Sequence, residues 1–247
     1  MSLPFGNPIA YDVRMTIRRR LARNAGIVAA GIALLALAGS ALAHGVAQDD
    51  QGFLQRNVGA SILPYVYLGA KHMVTGYDHL LFLAGVIFFL YRIKDVAIYV
   101  TLFAVGHSTT LLAGVLGGIH ADAYLVDAVI GLSVVYKAFE NVGGFRRLGL
   151  AINTRLAVLV FGFFHGFGLA TKLQAISLSQ EGLITNMISF NVGVELGQFA
   201  ALAVILIAIN LWRLSGGFNR HAFAANVLLM AAGFTLFGYQ LTGYVVS

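Results

Sequence analysis

The sequence predicts an all-α integral membrane protein with six transmembrane helices after a cleavable N-terminal signal, or seven if that signal is retained. Of its 247 residues, 59% are hydrophobic and only 11% are charged, whereas a soluble domain carries roughly a quarter charged residues. Six apolar runs approach the roughly 20 residues that a helix needs to cross a bilayer. The abundance of glycine and the scarcity of proline favour helices whose backbones pack closely.

The charge pattern indicates the lipid bilayer as a partner and excludes nucleic acid. The net charge is +6, but the basic residues lie in the N-terminal region and in short loops between apolar runs, where they orient a membrane protein. The chain has no cysteine. Disulfides, thiolate ligands and iron–sulfur clusters are therefore excluded.

Residues 1–43 are predicted to be a signal peptide. A basic stretch that includes Arg18, Arg19 and Arg20 precedes an apolar run, and the run ends in an Ala-x-Ala cleavage site at Ala43. Cleavage would leave His44 at the mature N-terminus, where an α-amine and an imidazole can chelate a metal. The simpler interpretation is that His44 merely follows the cleavage site. Residues 44–73 are expected to be a periplasmic linker and interfacial segment, and residues 74–247 the six-helix transmembrane domain.

The loops predict the orientation of the six spans, which we place at 74–91, 95–117, 122–141, 155–175, 184–212 and 221–244. Alternate loops carry basic residues, and the positive-inside rule assigns those loops to the cytoplasm. We therefore expect a multi-pass protein of the bacterial inner membrane whose mature termini are periplasmic. The basic loop residues are Arg92, Lys94, Arg146, Arg147, Arg155, Arg213 and Arg220.

Two histidines and a carboxylate precede the first apolar run. His72 and His79 are seven residues apart, so on one continuous helix they would line one face, with Asp78 beside them. Imidazole nitrogens and carboxylate oxygens suit divalent nickel, cobalt or zinc. The alternative is an interfacial polar cluster in which Asp78 faces the positive end of a helix dipole. The predicted orientation places these residues at the periplasmic end of span one.

Two further histidines are predicted deep within spans. His107 lies in the run Gly106-His-Ser-Thr-Thr110 of span two, and His165 lies beside a Gly-x-x-x-Gly pair in span four. Ionisable groups at such depth normally face the bundle interior or a water-filled path. The alternative for His107 is a neutral imidazole bonded to a carbonyl, with the hydroxyl run joining neighbouring helices.

Span five carries a polar stripe. Asn191, Glu195 and Gln198 recur at i, i+4 and i+7 on one helix face. A carboxylate at mid-span costs roughly 2.5–3.5 kcal/mol on insertion scales, so it needs a partner. We expect Glu195 to join His107 and His165 in an inner metal site, with Ser108, Asn191 and Gln198 as supporting groups. The alternative is a Glu195–His165 pair that only holds two helices together.

Span three carries three charged residues with expected structural roles. Lys137 and Glu140 are i, i+3 and are expected to pair. Asp127, near the outer end, is expected to serve the helix start or to contact lipid headgroups, although it could also attract cations. His120 and His221 are expected in solvated loops.

Several stretches resemble the HupE/UreJ family of hydrogenase- and urease-associated membrane proteins, in its second branch. The resemblance rests on His72-x5-Asp78-His79, on Phe164-His165-Gly166 and on three longer stretches over about 70–212. Those longer stretches are Gly76-Tyr-Asp-His-Leu-Leu-Phe-Leu, Gly106-His-Ser-Thr-Thr and Phe190-Asn-Val-Gly-Val-Glu-Leu-Gly-Gln.

The resemblance implies a nickel or cobalt permease that supplies metalloenzyme maturation. It implies that His72, Asp78 and His79 take part in metal passage. The family's second motif, Phe-His-Gly-x-Ala/Val-x-Glu, is matched only in part, because Gly168 and Ala170 stand where the family has Ala or Val and Glu. Glu195 is expected to supply the missing carboxylate.

The functional prediction is a permease that moves a divalent transition metal, nickel above cobalt or zinc, from the periplasm to the cytoplasm. Its predicted metal ligands are His72, Asp78, His79, His107, His165 and Glu195. One alternative is an intramembrane zinc hydrolase, in which Glu195 would activate a water. Another is a membrane metal-insertion or assembly factor that transports nothing.

Overall fold

The computed structural model describes residues 48–176 and 178–247, and within them it contains helices and no strand. The predicted signal peptide and His44 lie outside the described residues. The helices are α1 (Gln48–Arg56), α2 (Ile62–Thr75), α3 (Tyr77–Ile87), α4 (Ile93–Gly117), α5 (Ala123–Asn141), α6 (Gly144–Arg147), α7 (Thr154–Gln174), α8 (Leu183–Leu214) and α9 (Phe218–Val246).

Four of the described helices are long and apolar enough to cross a membrane, namely α4, α7, α8 and α9. They correspond to the predicted spans two, four, five and six, and they confirm an all-helical, multi-pass membrane protein. The predicted span three corresponds to α5, which has 19 residues and contains Asp127, Lys137 and Glu140. The six-span count stays a prediction.

The first predicted span is corrected by the structure. Residues 74–91 do not form one helix, because α2 ends at Thr75, Gly76 adopts an extended backbone (φ −72°, ψ 97°) and α3 runs for only 11 residues. A Cβ at position 76 would lie 2.9 Å from Nδ1 of His79 and 3.0 Å from the carbonyl oxygen of His72. Glycine therefore allows the break and the close approach of both histidines.

The bundle is built from helix pairs that meet at glycines. In the α4–α7 pair a Cβ at Gly162 would lie 2.6 Å from the carbonyl oxygen of Phe103, and in the α2–α8 pair a Cβ at Gly197 would lie 2.7 Å from that of Ala70. In the α5–α9 pair a Cβ at Gly131 would lie 2.7 Å from the amide nitrogen of Phe237. Small residues at these contacts let the backbones approach closely.

Two apolar cores fill the bundle, and polar histidines lie where they meet. One core includes Met73 and Phe190, and the other includes Phe82 and Phe103. The ring of His72 contacts Phe190, whereas His165 contacts Phe82 and Phe103. The break between α2 and α3 lies at this junction and directs its histidines into the interior.

Candidate functional site

His79 is the centre of a group of four imidazoles, which we call the histidine cluster. The centroid of its ring lies 5.2 Å from that of His72, 5.8 Å from that of His107 and 5.0 Å from that of His165. These residues come from α2, α3, α4 and α7. The structure thus brings together the predicted outer and inner histidines in one place.

Asp78 orients His79. Its Oδ1 lies 2.9 Å from Nδ1 of His79 and also accepts a hydrogen bond from the His79 backbone N–H. A carboxylate can only accept, so Nδ1 donates and the lone pair of the neutral ring is on Nε2. Asp78 lies in the first turn of α3, where the helix dipole favours its negative charge. A carboxylate behind an imidazole is the usual arrangement that orients a metal ligand.

His165 is oriented in the same way by a backbone group. Its Nδ1 lies 2.8 Å from the carbonyl oxygen of Phe161, one turn earlier in α7. Since the carbonyl accepts, Nδ1 carries the proton and Nε2 holds the lone pair. The Nε2 atom is buried and has no hydrogen-bond partner among the described residues. It is therefore available to a ligand from within the bundle.

His107 and His72 add further buried nitrogens without partners. Both ring nitrogens of His107 and Nε2 of His72 and His79 are buried and unbonded among the described residues. His107 is only 1% exposed. Buried polar groups are normally hydrogen-bonded, because leaving one unpaired costs about 1–3 kcal/mol. Several such atoms in one cluster are typical of a binding site.

The cluster offers a set of nitrogen donors beside one carboxylate, which fits a borderline divalent cation. As placed, the donors are spread out. No group of three or more histidine, aspartate or glutamate side chains within residues 48–176 and 178–247 has the geometry to hold one metal ion. The ring centroids of His72, His107 and His165 instead lie 5.0–5.8 Å from that of His79, as separate nitrogen donors around it.

Glu195 is not brought into the histidine cluster, and its expected place in the inner site is corrected. Gly193 and Gly197 occupy the face of α8 that packs on α2, where Cβ atoms would meet the carbonyl oxygens of Val66 and Ala70. Glu195 lies between these glycines along the chain and is exposed. Within the described residues His165 also forms no hydrogen bond or ion pair with Glu195, and its Nδ1 donates instead to the carbonyl oxygen of Phe161.

The expected supporting groups are found in different surroundings. Gln198 is buried and donates from Nε2 to the carbonyl oxygen of Val100 on α4, at 3.4 Å. Asn191 is half-buried, and its Oδ1 is enclosed without a hydrogen-bond partner among the described residues. Ser108 is half-buried. Its neighbour Thr110 donates to the carbonyl oxygen of Phe163 at 2.7 Å, as expected for a hydroxyl that joins helices.

Two features of the site were missed by sequence reasoning. Phe82 and Phe103 are apolar residues that contact the His165 ring, with ring centroids 5.2 Å and 5.0 Å from its centroid. Lys172 forms an ion pair with Asp127 at 2.9 Å, so Asp127 is buried and not at a lipid headgroup. The available signal was the spacing in α7, because Lys172 follows His165 by seven residues and shares its helix face.

Comparison with known proteins supports the resemblance that the motifs carry. A sequence profile described as HupE / UreJ protein matches residues 48–247, which is most of the chain. No curated protein and no solved structure gave a significant match. The matched family is associated with nickel or cobalt accessory and transport roles rather than with an enzymatic activity.

Proposed function

Because the chain belongs to the HupE / UreJ family, we propose that it is a permease that moves a divalent transition metal, nickel in the first place, from the periplasm to the cytoplasm. The observation that carries this proposal is the histidine cluster, in which His79 contacts three other imidazoles and buried Nε2 atoms have no hydrogen-bond partner among the described residues. These donors replace part of the hydration shell of an ion that enters the bundle.

The arrangement of the imidazoles favours passage of an ion from one small set of nitrogen donors to the next. His72 and His79 lie on either side of the break at Gly76, and His107 and His165 extend the donors into α4 and α7. Asp78 offsets part of the charge of the ion. An ion that is held by few donors at a time is released more easily than one held in a closed coordination shell.

The direction follows from the predicted orientation. The basic loops assign the break between α2 and α3 to the outer half of the membrane. An inside-negative potential of 100 mV favours inward movement of two positive charges by roughly 4–5 kcal/mol. Facilitated diffusion driven by this potential is therefore sufficient for uptake.

Uptake into liposomes by the purified protein tests the proposal. Nickel, cobalt and zinc are supplied separately, under an imposed inside-negative potential, and bound metal is counted on the same samples. His79→Ala is expected to reduce the initial uptake rate at least about 100-fold. Loss of a group that only orients a metal ligand already lowers metal affinity or activity 10–100-fold. His221→Ala is the matched control, since His221 is exposed at the start of α9.

Two outcomes would contradict the proposal. Uptake that His79→Ala leaves unchanged would exclude the histidine cluster from the path. Stoichiometric zinc binding without flux would replace the permease by an intramembrane metalloprotein, and hydrolysis assays would then follow.

A further inference from the structure

A buried ion pair lies beside the histidine cluster. The Lys172 ammonium lies 2.9 Å from Oδ2 and 3.1 Å from Oδ1 of Asp127. Gln240 donates from Nε2 to the same carboxylate, at 3.3 Å. Asp127 is 6% exposed. The pair therefore joins α5, α7 and α9 inside the bundle.

The pair lies one to two helical turns from His165. A Cβ at Gly168 would lie 3.1 Å from Oδ1 of Asp127, so this carboxylate rests against α7 three residues beyond His165. Three residues correspond to a rise of about 4.5 Å. Lys172 acts electrostatically on the Asp78 carboxylate and on two imidazoles of the histidine cluster. The ion pair and the cluster thus share one electrostatic environment.

The position of the pair is on the outer side of the cluster. α7 runs outward in the predicted orientation, and Lys172 lies in its last turn. Asp127 lies in the first half of α5, which runs inward from the same side. An ion that approaches His165 from the periplasm comes within the range of both charged groups.

The charges favour exchange between a metal ion and the ammonium. A divalent cation near the cluster is attracted by Asp127 and repels Lys172, and both interactions are strong inside a low-dielectric bundle. The ammonium is on a flexible four-carbon stem, so it can leave the carboxylate without a change in the helices. Gly168 leaves the space in which Asp127 lies against α7.

We propose that Asp127 is an outer metal ligand, and that the Lys172 ammonium is paired with its carboxylate while no metal is present. An incoming divalent ion then takes the place of the ammonium on Asp127. This inference rests on the proposed permease function. The ammonium is a tethered competitor: it balances the Asp127 charge in the empty protein, and it returns to Asp127 as the metal moves inward. Lys172 therefore lowers metal affinity and promotes release.

The test compares nickel affinity and uptake among substitutions of the pair in the full-length protein. Lys172→Met is expected to bind Ni²⁺ about tenfold more tightly and to show slower maximal uptake, because the competitor is lost. Asp127→Asn is expected to bind Ni²⁺ about tenfold more weakly, because a ligand is lost while the ammonium remains. Equilibrium dialysis with Ni²⁺ measures affinity, and proteoliposomes measure uptake.

Controls separate the exchange from structural effects. Lys137→Met removes another buried lysine, which pairs with Glu140 at 2.7 Å, and is expected to leave nickel affinity unchanged. The double variant Lys172→Met/Asp127→Asn leaves no unpaired charge from this pair, so it provides a folded comparison if Lys172→Met does not fold. It is expected to bind Ni²⁺ more tightly than Asp127→Asn.

The outcomes distinguish this inference from the proposed function. Shifts of both single variants in the same direction, or a double variant no tighter than Asp127→Asn, would overturn the exchange. A wild-type protein that neither binds nor transports nickel, cobalt or zinc would overturn the permease function itself.

Discussion

Two buried polar regions of the bundle differ in how their groups are paired. The histidine cluster holds ring nitrogens without partners among the described residues. The second region, which we call the inner polar network, consists of Lys137, Glu140, Asn141 and Asn226. The Lys137 ammonium nitrogen lies 2.7 Å from Oε2 of Glu140, as the i, i+3 spacing predicted. Glu140 also accepts a hydrogen bond from Thr154.

The amides of the inner polar network are paired as well. Asn141 donates from Nδ2 to the carbonyl oxygen of Gly85 and to Oδ1 of Asn226, both at 2.8 Å. Asn226 in turn donates to the carbonyl oxygen of Ala222 at 2.9 Å. The network thus joins α3, α5 and α9.

The two regions differ in hydrogen-bond pairing, and this difference matches the different roles that we propose for them. Both regions are enclosed by helices that pack at glycines, so close packing does not distinguish them. A paired network contributes to stability, because each partner replaces a lost water. Under the proposed function, the ring nitrogens of the cluster that have no partner among the described residues cost stability and gain partners from the transported ion. Substitutions should therefore separate into effects on transport and effects on stability.

After His79→Ala, the next largest effect is expected from substitution of Asp78, which orients the central imidazole. Asp78→Asn removes the negative charge beside His79 and is expected to lower nickel affinity and uptake about 10–100-fold. Equilibrium dialysis and liposome uptake measure both quantities. Asp50→Asn is the control, because Asp50 pairs with Lys71 near the N-terminal end of the described chain. Equal losses in both variants would contradict a special role for Asp78.

Substitution of His107 is expected to change transport and stability in opposite directions. His107→Leu removes two buried nitrogens that have no partner among the described residues. It is expected to raise the free energy of unfolding by about 1 kcal/mol. The same change is expected to reduce nickel uptake about tenfold. Denaturant unfolding in detergent and liposome uptake provide the two measurements. A less stable variant would show that these nitrogens have partners in the folded protein.

Asn141 tests the inner polar network. Asn141→Ala leaves the Gly85 carbonyl and Oδ1 of Asn226 without this donor, and is expected to lower the free energy of unfolding by about 1–3 kcal/mol. Uptake per folded molecule is expected to stay at the wild-type level. Unfolding and uptake are measured on the same preparation. A selective loss of uptake would place the network in the transport path.

The smallest effect is expected at Glu195, on the exposed face of α8. Glu195→Gln is expected to leave nickel affinity and uptake unchanged, because the carboxylate is not in the histidine cluster. The comparison with Asp78→Asn is direct, since both variants replace one carboxylate by an amide. Strong loss of nickel binding in Glu195→Gln would return this carboxylate to the metal path.

Much of the candidate site was predictable from residue type and depth. Histidines in apolar runs must face the interior, so His107 and His165 were predicted to lie inside the bundle. The position of Glu195 is instead set by the packing of α8 on α2. The glycines beside it provide the closest helix contact, and the face that packs on α2 excludes its side chain. Sequence spacing identifies a polar stripe but does not say which of two stripes packs inward.

The helical membrane class, the pairing of Lys137 with Glu140 and the four histidines as candidate ligands were predictable from the amino-acid sequence, because hydropathy and i, i+3 spacing are local properties. The distances between those histidines, and their meeting in one cluster, depend on tertiary packing. On one straight helix His72 and His79 would be separated by about 10 Å along the axis, but the break at Gly76 brings their rings to 5.2 Å. Such a break is stable only where neighbouring helices enclose it, and that enclosure is a property of the whole bundle.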